Sequence, residues 1–331
     1  MPRTASHRDK DVSPGFRKKA VWWVETALFV GGTFVLSLTP ISLVTPIGRA
    51  IGAICYRILG SRRKVALENL AAACTHLPPG SDPEKIARAA FANLGTSFME
   101  DCKLYHGRGQ KLLDGIVIEG MEHYVKAREK GKGVLFITGH CGNWELMALN
   151  FGHVCLKEGK FTILARQQDN PYLNSVIEKM RSSYGNRVIY KKGALFEIVR
   201  LLRRNEIIGI LIDQSVMPAE GYQIEFLGRK AWTTRMPVLV SRKTGVPILP
   251  GFIHRYGKGA RFVILPEVVF PSAEMTDEAL ARDTAILSGY VEEYIRSYPE
   301  EWFWVHRRWK SREPMAAPSA DDRNVPARDD G

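Results

Sequence analysis

"GVLFITGHCGNWELMALNFGHV", residues Gly133 to Val154, changes its period halfway along. Gly133–Thr138 holds no polar residue except its terminal threonine, as expected of a strand buried on both faces. Gly139 permits a sharp exit, and His140 follows in the loop. Gly142 and Asn143 then supply turn and N-cap chemistry before Trp144–Val154 takes up helical spacing. His140 therefore falls at the carboxyl edge of a strand, where open α/β sheets form their ligand crevices.

The same alternation continues on both sides. Helical patterns cover 84–106, 121–130, 144–157, 172–184, 193–203, 235–244 and 276–297. Between them run short β-rich segments: "GIVIEG", "GVLFIT", "FTILAR", "NRVIY", "EIIGILID", "YQIEF", "VPILPGFI" and "RFVILPE". Strands alternating with helices predict an α/β fold, with a largely parallel or mixed central sheet flanked by helices. No internal repeat is visible. The expected organisation is a basic polar N-terminus (1–20), a membrane anchor and interfacial helix (21–64), one catalytic domain (65–312) and a disordered tail (313–331) rich in Pro, Ala, Asp and Arg.

The N-terminal apolar helix carries the case for the anchor. Ala27 to Val44 has no charge, and at about 1.5 Å per residue it reaches across much of a hydrocarbon core about 30 Å thick. Trp22 and Trp23 precede it as interfacial aromatics, and Pro40 interrupts it. A cleaved signal peptide is the competing reading, but no small-x-small site closes the run. Further on, Ile47, Ile51, Ile54, Cys55 and Ile58 share a helical face, and Arg62, Arg63 and Lys64 follow. That pattern suits either a helix in the membrane interface or one packed on the protein's own core.

Composition narrows the partners. Of 331 residues, 45% are hydrophobic and 25% charged, as in an ordinary folded protein. Lys plus Arg is 47 against 35 for Asp plus Glu, a net charge of +12, which favours an anionic partner. Five scattered cysteines (Cys55, Cys74, Cys102, Cys141, Cys155) form no CxxC pair, so a disulfide framework is not expected.

Five residues after His140, Glu145 occupies the first helical turn, from which its side chain can fold back to hold one imidazole nitrogen. Such a pair is two-thirds of a triad without a protein nucleophile, so a substrate hydroxyl would take that role. The bland alternative is a loop histidine satisfied by a local carboxylate. Cys141 is a poor nucleophile candidate, because adjacent side chains in a turn diverge. A metal site from His140, Glu145 and His153 lacks HExxH spacing, and no GxSxG serine elbow is present. In "EWFWVHRRWK", three tryptophans alternate with basic residues, but no nucleic-acid-binding motif accompanies them.

These blocks together resemble the bacterial lipid A late acyltransferase family, within the wider glycerolipid acyltransferases marked by a His-x4-Asp/Glu motif. "GHCGNWE" resembles the signature, "RRKVALENL" (Arg62–Leu70) the basic post-anchor segment, and "ARQQDNP" (Ala165–Pro171) the Arg-containing block. "LIDQS" (Leu211–Ser215) resembles the strand-terminal acidic block, and "EWFWVHRRWK" (Glu301–Lys310) the C-terminal signature. The resemblance covers about residues 20–312. It implies transfer of a fatty acyl chain from an acyl carrier protein thioester to a hydroxyl of a membrane glycolipid, without cofactor or metal. It assigns catalysis to His140 and Glu145, and substrate contacts to Asn143, Arg166, Asp213 and Gln214; Asp213, at the end of its strand, has orientation of a neighbouring side chain as its alternative role. The implied partners are acyl carrier protein, the glycolipid acceptor and anionic inner-membrane lipids, with no nucleic acid. Basic residues on both sides of the apolar region (Arg17–Lys19, Arg62–Lys64) predict a catalytic domain on the cytoplasmic face of the inner membrane. The family also includes enzymes that acylate mannosylated phosphatidylinositol.

Overall fold

A computed structural model describes residues 15–155, 160–191 and 193–310. The expected disordered tail and residues 1–14 of the basic N-terminus lie outside the described residues. The strand that opened the sequence reading is β2 (Val134–Thr138), and all five of its residues are buried. Because side chains alternate along a strand, its two faces feed two cores. Leu135 and Ile137 join one cluster, and Val134 and Phe136 the other. Each such side chain contributes about 1.5–3 kcal/mol by leaving water.

Parallel neighbours of β2 are β5 (Ile207–Leu211) and β8 (Ile248–Tyr256). Beyond β5 lie β3 (Phe161–Ala165) and β4 (Arg187–Tyr190), both parallel. Beyond β8 lie β9 (Gly259–Ile264), antiparallel to it, and β1 (Ile116–Glu119), parallel to β9. The sheet is thus seven-stranded, in the order β1-β9-β8-β2-β5-β3-β4, mixed but mostly parallel. Among the helices that flank it are α7 (Trp144–Val154), α8 (Pro171–Ser182), α9 (Ala194–Leu202), α10 (Met236–Thr244) and α11 (Asp277–Ser297). A separate hairpin pairs β6 (Gly221–Phe226) with β7 (Arg229–Thr234). Strand β7 has no apolar run and escaped the periodicity reading.

Pro40 divides the N-terminal apolar region into α1 (Phe16–Ser37) and α2 (Ile41–Ile58), and α3 (Gly60–Ala73) follows. Helix α1 packs against α4 (Pro83–Tyr105) and α8. The residues it buries are Thr26, Thr33 and Ser37, while Trp23 (64%), Leu28 (72%) and Val35 (64%) face outward. Its inner face is therefore polar and its outer face apolar, the reverse of a helix on a water-facing surface. Polar contacts to three residues of the body hold that inner face. Asn170 Nδ2 donates to the Trp22 carbonyl (2.9 Å), Lys103 Nζ to the Ser37 carbonyl (2.9 Å), and Thr33 Oγ1 lies 3.0 Å from His106 Nε2.

Helix α2 docks through a face other than its isoleucine stripe. Ile54 and Ile58 are exposed, and the helix buries Val44, Gly48, Gly52 and Tyr56 against α4. The reason is backbone proximity. A Cβ on Gly52 would stand 2.1 Å from the Phe91 carbonyl oxygen, and one on Gly95 would stand 2.1 Å from that of Gly48. Small residues let the two helices meet almost backbone to backbone. Part of α2 is therefore packed on the protein itself, and its isoleucines form an outer apolar surface.

Candidate active site

The parallel register of β2 and β5 places Thr138 opposite Leu211. Two residues further along each chain stand His140 and Asp213, so two neighbouring strands deliver an imidazole and a carboxylate side by side. Asp213 Oδ1 lies 2.7 Å from His140 Nδ1. Its Oδ2 accepts from the His140 backbone N–H (2.8 Å) and from Trp302 Nε1 (2.8 Å). Burial raises the pKa of the Asp213 carboxyl. The electrostatic pull of neighbouring His140 and these hydrogen bonds outweigh burial and hold the group well below the usual carboxylate range. A permanent acceptor at Nδ1 keeps the proton there. Gln214 Nε2, which can only donate, sits 3.0 Å from His140 Nε2. The second ring nitrogen therefore carries a lone pair, turned towards the Gln214 amide, which is the tautomer a general base requires.

The loop is held from behind by the chain's "EWFW" segment. Cys141 forms an isolated antiparallel bridge with Trp302, the Gly142 N–H donates to the Glu301 carbonyl (2.8 Å), and the Phe303 N–H donates to the His140 carbonyl (3.1 Å). Gly142 has φ +56°, and a Cβ there would meet the Ile253 carbonyl oxygen at 2.2 Å, so only glycine fits. Trp302 and Trp304 are fully buried, and Trp309 packs against the same core. The tryptophans thus serve packing, with one indole N–H directed at Asp213. Arg308 is buried as well, donating to the Trp232 carbonyl and Thr233 Oγ1, with its guanidinium over Phe226.

Glu145 does not hold the imidazole. It is bound by both arms of the Arg181 guanidinium, from the last turn of α8, with Nε donating to Oε2 at 3.0 Å and Nη2 to Oε1. The carboxylate orienting His140 comes from another strand, because the first turn of α7 carries Glu145 to the Arg181 side of the loop. Burial and the nearby Glu145 charge in turn push the Asp101 carboxyl well above its ordinary value. Asn143 is likewise engaged internally. Its Oδ1 caps α7 at Leu146 N (2.9 Å), and its Nδ2 donates to Glu100 (2.9 Å) and Asp101 (3.1 Å). It shapes the loop rather than facing a ligand. Cys141 is buried, and burial pushes its thiol well above the ordinary range, so it offers no thiolate.

A cleft opens where His140, Trp144, Glu145, Arg166, Arg181 and Gln214 converge, with a volume of about 190 Å³. It continues across Leu164, Lys191, Ile210 and Gln214 into a larger chamber of about 630 Å³. Arg166 lines both, its side chain is 80% exposed, and it pairs loosely with Asp169 at 3.8 Å, so its charge is available to a ligand. Of the site residues expected from sequence, the structure brings His140, Glu145, Arg166 and Gln214 to one cleft and sets Asp213 directly behind the imidazole.

Arg181 and Trp302 were not singled out as site residues. Arg181 carries no pattern that separates it from an ordinary helix-end arginine. Asp213 as the imidazole's partner was legible in principle, since "GVLFITGH" and "EIIGILID" place His and Asp at matching distances past two apolar strands.

Comparison with known proteins follows the same outline. The lipid A biosynthesis lauroyltransferase of Escherichia coli (strain K12) is 24% identical over 306 residues, 90% of this chain and 94% of the relative. The lipid A biosynthesis palmitoleoyltransferase of the same organism is 23% identical over 276 residues, 82% and 87% of the two chains. A phosphatidylinositol mannoside acyltransferase of Mycobacterium tuberculosis (strain ATCC 25618 / H37Rv) is 25% identical over 242 residues, 70% and 73%. The family profile described as "Bacterial lipid A biosynthesis acyltransferase" matches residues 10–311, nearly the whole chain from the N-terminal helices to the segment that locks His140 in place, and the chain belongs to that family.

Proposed function

We propose that this chain is a membrane-bound O-acyltransferase that moves a fatty acyl chain from an acyl carrier protein thioester to a hydroxyl of a lipid A precursor or a related glycolipid. One observation carries the reading: an imidazole whose Nδ1 is fixed by buried Asp213 and whose Nε2 faces a cleft lined by Gln214 and Arg166. The acceptor hydroxyl takes the place of the Gln214 amide at Nε2 and gives up its proton there. Its oxygen attacks the thioester carbonyl, forming the new C–O bond. Asp213 stabilises the imidazolium so formed. The freed Gln214 amide and the Arg166 guanidinium can donate to the oxyanion. The intermediate collapses, the C–S bond breaks, and the thiolate recovers the proton from the imidazolium. Exposed Arg166 and the chain's net charge of +12 suit an anionic glycolipid and an acidic carrier.

The anchor helices support the location. Helices α1 and α2 are long and apolar enough to cross a membrane. The outward apolar face of α1 suits immersion in lipid, with basic residues at both ends of the pair favouring the cytoplasmic side of the inner membrane. An acceptor of the phosphatidylinositol mannoside type is the second reading, favoured by similarity to the mycobacterial relative.

His140→Ala should lower transfer by about 100-fold or more while leaving the fold intact. Near-normal transfer by that variant would sink the assignment. Release of free fatty acid at full rate without acceptor would instead indicate a thioesterase using the same groups. Lipid mass spectrometry of cells with and without the gene identifies the acceptor.

A further inference from the structure

Arg308 is buried to 0% exposure, and the mechanism above makes no use of it. Its Nη1 donates to the Trp232 carbonyl (2.7 Å) and its Nη2 to Thr233 Oγ1, while Nε is buried without a partner. Its hydrogen-bond partners among the described residues are thus a carbonyl and a hydroxyl, with no carboxylate between them. An ion taken out of water without an opposite charge in contact is costly. Burial draws the pKa of Arg308 down to about 10, which still leaves the guanidinium charged at neutral pH. A neutral donor would hold the hairpin at lower cost, so the charge has another use.

That use lies with Asp213. The guanidinium stands 4.7 Å from the centroid of the Phe226 ring, and that ring is 5.8 Å from Trp302, whose indole donates to Asp213 Oδ2. Two buried aromatic rings thus separate a buried cation from a buried anion. Such surroundings screen charge far less than water does, so the two groups act on each other without touching. Of the charges that favour the charged form of Arg308, that of Asp213 is the largest and that of Glu292, on α11, follows. Glu292 is already paired with Arg296 at 2.9 Å. The other ionisable groups nearby are neutral, paired or exposed. Burial holds His306 down at about 4 and pushes the Cys141 thiol up. Across the cleft Glu145 is bound to Arg181, and Arg166, Lys191, Arg229, Arg307 and Lys310 are exposed.

We propose that Arg308 is a positioning residue for the transfer reaction: acting through Asp213, it offsets the carboxylate's charge so that His140 rests as the free base between turnovers. The proposal rests on the acyl-transfer reading and adds to it the group that sets where the base titrates. With a neutral imidazole, the charges of Asp213 and Arg308 sum to zero. Protonation of the ring makes the sum positive. Without Arg308 the same protonation would cancel a lone buried negative charge, and the ring would be held as an imidazolium, which cannot accept the acceptor's proton.

The test is the pH profile of kcat/KM for transfer from lauroyl-acyl carrier protein to a lipid A precursor, in full-length protein checked by thermal melting. Arg308→Gln removes the charge. Thr233→Asp sets a carboxylate on the guanidinium and cancels the charge in place, and it serves where the first variant does not fold. In both, the acid limb should move up by about 1 pH unit, so that kcat/KM on that limb falls about 10-fold while the alkaline plateau changes less. Arg308→Lys keeps the charge, and Thr233→Asn alters the contact without adding one, so their limbs should stay at the wild-type position. An unmoved limb in folded charge-cancelling protein overturns the proposal, because a packing role alone moves stability and leaves the limb in place. An equal shift in Thr233→Asn overturns it too. The ¹⁵N titration of the His140 imidazole, assigned by its loss in His140→Ala, should show the same displacement. That measurement needs no turnover, so it reads the charge array by itself, whereas near-normal transfer by His140→Ala would sink the acyl-transfer reading.

Discussion

Helix α1 and strand β2 are both apolar runs, yet they are built in opposite senses. Strand β2 buries every side chain, and its cost of ordering is met by burial on two faces of the sheet. Helix α1 turns Thr26, Thr33 and Ser37 inward and its large apolar side chains outward, and hydrogen bonds to Asn170, Lys103 and His106 secure the contact. The body of the protein thus turns its apolar side chains inward, and helix α1 turns most of them outward. Hydrophobicity alone cannot distinguish the two; the direction in which the few polar residues point does. One consequence is that substitutions in the sheet-edge site should act on catalysis, while those in the helices should act on attachment and packing.

The largest expected effect separates the two carboxylates of the cleft. Asp213→Asn removes the acceptor that fixes the imidazole tautomer and should lower kcat by about 10²–10⁴-fold, with an altered pH–rate profile. Glu145→Ala leaves the half-buried Arg181 without its carboxylate partner and should cost about 1–3 kcal/mol of stability, measured by urea unfolding. Its residual activity should keep the wild-type pH profile. A changed profile for Glu145→Ala alongside an unchanged one for Asp213→Asn would return the orienting role to the helix.

Gly52→Leu tests the seam between the two regions. The new Cβ would collide with the Phe91 carbonyl, so α2 must move off α4, at a cost of about 1–3 kcal/mol. Midpoint shifts in detergent, with far-UV circular dichroism to confirm folding, measure it. An unchanged midpoint would mean that α2 is not fastened as described.

Asn170→Ala should cost about 1 kcal/mol, because the residue caps α8 through Tyr172 N and Leu173 N while donating to α1. Limited proteolysis should then cut more readily near α1. Equal cleavage rates would show that the remaining contacts suffice to hold the helix.

A further effect is a slope in pH. Burial holds the pKa of His306 down at about 4, against an ordinary value of 6.5. The folded state therefore binds fewer protons than the unfolded chain between those values. Stability is full above about pH 6.5 and is lost as pH falls toward 4. Burial also lowers His106 and His254, so His306→Gln should flatten the slope without abolishing it. Urea midpoints measured from pH 7 to pH 4 give the comparison, and an identical slope in the variant would refute the assignment.

The parts of this architecture that were legible in sequence share a physical basis. The apolar strands and amphipathic helices from residue 84 onward were visible because one face or both must be buried, which imposes a period. The turn at Gly139–Asn143 was visible because its geometry demands particular residues. Strand β7 was not, since a hairpin edge bearing Arg229 and Lys230 needs no apolar run. Side-chain pairing was harder still. Glu145 lies five positions from His140 in the chain, and Asp213 lies 73 away, yet the register of two parallel strands favours the distant residue. Local spacing misled because it fixes where a backbone goes and leaves open which neighbour arrives first.

The bridge between Cys141 and Trp302 also orders events in time. Ribosomes deliver the chain from its N-terminus, so α1 and α2 emerge before any part of the site, and His140 emerges long before the indole that braces Asp213. A nascent chain therefore carries its first helices while its imidazole still lacks its full set of supports. The site is complete only with the "EWFW" segment, the last part of it to be translated, so the N-terminal helices precede the finished site in each newly made molecule.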